Sequence, residues 1–156
     1  MPDDVLLNKA ATIERCVARA REEFAAAGAH FATDFTRQDA AVLNVQRACE
    51  AALDMGQYLI RRERLGVPQS SRDVFGLLAA AGWIETPLAD RLQKMVGFRN
   101  IAVHDYQVLL IPIVTEVITR HLDDFLAYSR AVLLRSGRQA GGCVGSARLR
   151  CACCVD

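Results

Sequence analysis

The segment "RNIAVHDY", residues 99–106, gathers Arg99, Asn100, His104, Asp105 and Tyr106 in a chain otherwise rich in Ala, Leu and Val. Histidine takes or gives a proton near neutral pH. Arginine keeps its charge and grips phosphate oxygens through two parallel hydrogen bonds. That charge is worth most where negative charge grows, as on the phosphorane-like oxygens of a phosphodiester transition state. RNA brings its own nucleophile, the 2′-hydroxyl. One His and one Arg therefore suit cleavage of RNA without a metal or other cofactor, and such a site leaves DNA alone.

The same residues have a plainer use. A His near an Arg is commonly a surface or capping group, and Arg99 with Asp105 would make a simple ion pair of small value. Helical geometry sharpens the choice without settling it. At about 100° per residue, Arg99 and Tyr106 share one side, and Asn100 and His104 lie next to each other on its flank. All of these fit within an arc of about 160°. Asp105 points elsewhere, as do Ile101 and Ala102, which are free to pack. Pro112 restarts the chain soon after, so the segment sits at a helix end, where a bend would help Arg99 and His104 converge.

The elements that must hold this segment follow from periodicity. Residues 4–27 place Leu6, Ala10, Ile13, Val17, Ala20 and Phe24 at three–four spacing, which predicts an amphipathic helix ending near Gly28. In "TRQDAAVL", Thr36 is expected as N-cap with Asp39 at the third helical position. The helix that follows runs to about Leu65 and Gly66, with Val42, Val45, Cys49, Ala52, Leu53, Gly56, Leu59 and Ile60 on its apolar face. Its other face carries Asn44, Arg47, Glu50 and Asp54. Such a face is usually a wet surface; the sharper alternative is that some of these groups line a cleft.

"GVPQSSRD" (66–73) reads as a loop leading to a cap at Ser70 or Ser71, then a short helix through Ala81 closed by Gly82. "ETPLADRL" starts another helix, with Thr86 as cap, Pro87 at the first helical position and Leu88, Leu92, Met95 and Val96 buried. It runs straight into the polar segment. Pro112 opens a last long helix, with Ile113, Val117, Ile118, Leu122, Phe125 and Leu126 apolar, ending near Arg135. There is no internal repeat, Gly-rich phosphate loop or strand-length alternation. The expected fold is all-α: an antiparallel bundle of four long helices and one short helix.

Composition agrees. A chain of 156 residues, 52% hydrophobic, predicts one globular domain with a fair-sized core. Low aromatic content with abundant Ala and Leu favours helices. A net charge of +1 neither demands nucleic acid nor excludes it, since a local basic patch can exist on a neutral protein. Met1-Pro2-Asp3-Asp4 is acidic and no apolar signal core follows. The most apolar stretch, "VLLIPIV" (108–114), is interrupted by Pro112 and bounded by Glu116, so no membrane span is expected. Cys16 and Cys49 sit in helical patterns and read as small buried residues of a reducing cytosol. A cytoplasmic protein is expected.

From residue 136 the character changes to "SGRQAGGCVGSARLRCACCVD". A disordered tail over 136–156 is the expectation, or a foreign or frameshifted end. Cys143, Cys151, Cys153 and Cys154 lack the paired spacing of a zinc ribbon, so no metal site is assigned.

"FRNIAVHDY" resembles the R-x-x-x-x-H-x-Y signature of HepT-like toxins, in the HEPN superfamily of helical ribonucleases. The likeness extends to "LNKAATIERC" (7–16), "FTRQDAAVLNVQRACEAALD" (35–54), "GVPQSSRDVFGLLAAAG" (66–82), "MVGFRNIAVHDYQ" (95–107) and "HLDDF" (121–125). It covers about residues 3–135 and stops at the tail. The resemblance implies a homodimer whose two motifs face each other across a cleft, and a metal-independent RNase that is the toxin of a toxin–antitoxin pair. It implies Arg99 and His104 as the catalytic pair, with Asn100 at the family's polar position after the Arg. It implies Tyr106 as the residue to which an MntA-like nucleotidyltransferase antitoxin adds AMP. The signature is intact. Two other classes stay open: a non-catalytic helical dimer that only binds the nucleotidyltransferase, and a scaffold whose cleft holds a nucleotide or RNA without cutting it.

Overall fold

The computed structural model describes residues 3–105 and 109–141. Helix α1 (Asp4–Ala27) and helix α2 (Phe35–Glu63) form an antiparallel hairpin, joined through a tight turn at Gly28–His30. Ion pairs fix the direction. Lys9 near the start of α1 meets Asp54 late in α2, and Glu23 near the end of α1 meets Arg37 early in α2. Short α3 (Ser71–Ala80) packs on α4 (Thr86–His104). Helix α5 (Ile111–Glu116), a π-helical turn (Val117–His121) and α6 (Leu122–Gly141) follow without leaving helical backbone angles. Together they make the last long helix, which packs on α1, α2 and α4.

The predicted stripes meet in the core. Leu6, Ile13, Val17 and Ala20 of α1, and Val42, Val45, Cys49, Ala52 and Leu59 of α2, are buried against Leu92 and Val96 of α4 and Leu122 and Phe125 of α6. Tyr128 is fully buried and donates to the Ala52 carbonyl at 2.9 Å. The hydroxyl is thereby satisfied where an unpaired one would cost about 1–3 kcal/mol. Ile113, expected in this core, is 48% exposed instead. It lies on the outward side of the first turn of α5, whose Ile111 and Val114 pack against the core instead.

Several helix starts differ from the sequence expectation by a residue or two. Asp34, not Thr36, caps α2 by accepting from the Arg37 amide at 3.1 Å, so Asp39 is not at the third position. The cause is the buried Phe31, which stacks edge-on against Phe24 and whose carbonyl accepts from Gln38, setting the helix start earlier. Helix α2 ends at Glu63, with Arg64 in the left-handed conformation next to it and Gly66 at positive φ two residues on. Glu85, not Thr86, is the cap residue of α4, which places Pro87 one step further in, where its missing N–H still costs nothing. Trp83 and Ile84 are buried and pin that entry. Ser70 caps α3 as expected. Helix α6 continues past Arg135 to Gly141; the tail cysteines lie outside the described residues.

Candidate active site at the end of helix α4

Arg99, Asn100 and His104 all lie on the last turns of α4, which stays helical through His104. The chain leaves the helix at Asp105, whose amide closes on the Ile101 carbonyl at 2.8 Å. The break thus falls after His104 and does not bend Arg99 toward it. Ala102 packs inward as expected, whereas Ile101 is 47% exposed. Tyr106, the fourth residue of interest, lies outside the described residues.

The Arg99 side chain is only 25% exposed. Its Nη1 donates to Asn100 Oδ1 at 2.9 Å, and its Nε lies 3.8 Å from Glu50 Oε1. The suggested pair with Asp105 is not formed; Asn100 and Glu50 hold the guanidinium instead. Nε is shut off from solvent and has no hydrogen-bond partner among the described residues. A buried donor without an acceptor costs about 1–3 kcal/mol, which the charge of the Glu50 carboxylate 3.8 Å away partly offsets. Glu50 is steadied in turn by Gln46, which donates to its Oε1 at 3.2 Å. Cys49, next to Glu50 and turned into the core, has its thiol pushed up to about 12 by burial, against the pull of Arg99.

His104 stands on the final turn, exposed, and its imidazole makes no hydrogen bond or ion pair among the described residues. It is open to contact from outside the bundle. One helix end therefore presents a partly buried, oriented cation and an accessible imidazole, two of the groups that metal-free phosphodiester cleavage uses.

The polar face of α2 is not merely wet. Asn44, Arg47, Glu50 and Asp54 line a cleft of about 540 Å³ between α2 and α1, opposite Lys9, Thr12, Arg15, Cys16 and Arg19. Glu50 belongs both to this cleft and to the Arg99 site. The α1 side was missed in the sequence. Its signal is the spacing of Thr12, Arg15, Cys16 and Arg19, which puts them on one helical face.

The profile of the Ribonuclease HepT-like family matches residues 13–132. The chain belongs to the HepT-like ribonuclease family. An mRNA nuclease HepT from Shewanella oneidensis is 51% identical over 123 residues, which is 79% of this chain and 92% of that protein. The fold of this HepT-like chain is similar to that of a toxin–antitoxin complex crystallised with AMP-PNP, with TM-score 0.80 and 48% identity over 83% of this chain and 98% of the other. It is equally similar to a tri-AMPylated Shewanella oneidensis HEPN toxin in complex with MNT antitoxin, with TM-score 0.79 and 48% identity over 83% and 97%. Among the described residues no helix is long and apolar enough to cross a membrane.

Proposed function

We propose that this HepT-like chain is the toxin of a toxin–antitoxin pair, a cytoplasmic, homodimeric and metal-independent endoribonuclease switched off by AMPylation of Tyr106. The observation that carries the reading is the end of α4: a guanidinium held by Asn100 beside Glu50, with an exposed imidazole on the next turn that has no partner among the described residues. The likeness to an mRNA nuclease supports RNA as the substrate, and the likeness to an AMPylated toxin bound to its antitoxin supports an MntA-like nucleotidyltransferase as the partner.

In this mechanism Arg99 binds the non-bridging oxygens of one phosphodiester. The adjacent 2′-hydroxyl attacks phosphorus, its proton passes to an imidazole, and the bond to the 5′-oxygen breaks. That leaving oxygen takes up a proton, and the other fragment keeps a 2′,3′-cyclic phosphate. One imidazole cannot be base and acid at the same moment. A two-fold dimer brings two copies of His104 and resolves this. Exposed apolar side chains next to the site suit such an interface: Ile101 and Val103 on α4, and Leu110 and Ile113 at the start of α5.

The switch has a physical sense. Each added AMP brings a phosphodiester whose charge and acceptor oxygens compete for the Arg99 grip meant for RNA. The test is expression of the wild-type chain and His104→Ala, each with and without an MntA-like partner, followed by RNA sequencing and end analysis. Cleavage is expected only from the wild type alone. RNA left intact by the wild type alone would leave the binding-module reading in its place.

A further inference from the structure

The α1–α2 cleft contains more positive charge than its own acids neutralise. Lys9 is spent on Asp54 at 2.7 Å, and Arg19 on Glu22 and Glu23 at 3.2 and 2.8 Å. Glu50 is taken up with Gln46 and Arg99. Arg15 and Arg47 remain, one from each wall, both exposed and without an acidic partner among the described residues. Both line this one cleft, Arg15 from α1 and Arg47 from α2, together with Cys16. Thr12 and Asn44 add neutral polar side chains to the same cleft.

Two arginines in one cleft that pair with no carboxylate among the described residues, Glu50 and Asp54 being engaged elsewhere, match a ligand with a phosphate. Position says which ligand. The cleft shares Glu50 with the Arg99 site, so a strand whose scissile phosphate sits on Arg99 continues along the polar face of α2 toward Arg47. We infer that the α1–α2 cleft is a second phosphate-binding subsite, in which Arg15 and Arg47 hold the backbone of single-stranded RNA away from the cut. The inference rests on the ribonuclease reading above. It assigns Arg15 and Arg47 to substrate binding and not to the chemical step. Contacts to backbone phosphate fix register and carry no sequence preference.

The test measures binding and cleavage separately in the full-length chain. Binding uses a fluorescent single-stranded RNA and anisotropy on the His104→Ala background, which keeps the probe whole. Arg15→Ala/Arg47→Ala is expected to raise Kd at least tenfold. For single strands log K falls with log salt by about 0.7 for each neutralised phosphate, so losing two contacts flattens the slope by about 1.4. Arg15→Lys/Arg47→Lys keeps the charge and is expected to recover most of the affinity, which separates binding from misfolding. Arg130→Glu, an exposed charge change on α6, serves as control and leaves Kd unchanged. In the otherwise wild-type enzyme the double Ala variant raises KM and leaves kcat within about threefold, because the chemical step is untouched. An unchanged Kd and salt slope in the double Ala variant would overturn the subsite while leaving the ribonuclease reading standing. A wild-type chain that binds no RNA and cuts none would overturn both.

Discussion

The Glu50 carboxylate lies 3.8 Å from the Nε of Arg99, close enough to orient the guanidinium and too far to hydrogen-bond to it. Glu50 is 42% exposed, and an ion pair in such a setting contributes about 0–1 kcal/mol to stability. Its value therefore lies in where it keeps Arg99. Asn100 fixes the other side through its Oδ1. Misplacing a binding group by about 1 Å can cost about 100-fold in rate. Asn100→Ala is expected to lower kcat about tenfold or more, with Tm within about 2 °C of wild type. Glu50→Gln keeps an oxygen near Nε and is expected to retain kcat while lowering KM, because a negative charge has left the phosphate path. Equal losses in Glu50→Gln and Glu50→Ala would show that position is not what Glu50 supplies.

The chemical roles make a sharper demand. His104→Ala removes the proton carrier, and general acid–base catalysis is worth about 10²–10⁴ in rate. Arg99→Ala removes the charge that meets the transition state, worth about 10²–10³. Both variants should fold, since His104 is exposed and Arg99 belongs to the rim of the core, and circular dichroism checks that. EDTA is expected to leave the wild-type rate unchanged, and products are expected to end in 2′,3′-cyclic or 3′-phosphate. Activity that survives in His104→Ala, or that needs added Mg²⁺, contradicts the mechanism.

The proposed interface predicts a dimer at micromolar concentration by light scattering. Ile101→Glu places a charge among the exposed apolar groups beside the site. It is expected to shift the chain to monomer, and the cleavage rate is expected to fall with it although Arg99 and His104 are intact. A wild-type chain that scatters as a monomer and still cuts RNA removes the dimer from the mechanism.

Packing gives a stability prediction away from the site. Gly56 on α2 sits where a Cβ would stand 2.5 Å from Val74 Cγ1 and 3.0 Å from the Tyr128 hydroxyl. Val74 is β-branched and fully buried, so it has little room to turn aside. Overpacking costs about 1–3 kcal/mol, and Gly→Ala in a helix returns about 1 kcal/mol through propensity. The clash is severe enough to win. Gly56→Ala is expected to lose about 1–2 kcal/mol, or about 2–8 °C in Tm for a chain of this size. A raised Tm would show that α3 gives way freely.

Most of the bundle was legible in the sequence because burial follows period. The stripes of α1, α2 and α4 are those that three–four spacing picks out, and Gly28, Ser70 and Gly82 mark ends of elements as their chemistry demands. Caps were less legible. Asp34 displaces Thr36 because Phe31 tucks into the core and moves the helix start, a tertiary effect that no local spacing reveals. At the site, Arg99, Asn100 and His104 stand together on one helix end as read. The acidic neighbour of Arg99 was not legible. Asp105 lies nearby in sequence, but Glu50 comes from another helix, and its approach depends on how α2 packs against α4. The cleft depended in the same way on α1 meeting α2: the polar face of α2 was visible, its opposite wall was not.

Tyr106 carries the last prediction. It stands two residues past His104 and completes the R-x-x-x-x-H-x-Y pattern. A tyrosine hydroxyl is a poor nucleophile at its usual pKa of about 10, so AMP transfer needs a catalyst that supplies both base and activated phosphate. A nucleotidyltransferase with ATP and Mg²⁺ does so: the phenol oxygen bonds to the α-phosphorus and pyrophosphate leaves. Co-expression with an MntA-like partner is expected to raise the mass of this chain by one or more AMP units, located on Tyr106 by peptide mapping. Cleavage activity should fall in step with the modified fraction, since the added phosphodiesters compete for Arg99. Tyr106→Phe is expected to fold normally, keep at least part of its RNase activity and escape enzymatic neutralisation. If Tyr106→Phe is silenced by the partner as completely as wild type, inhibition comes from simple binding and the modification is not the switch.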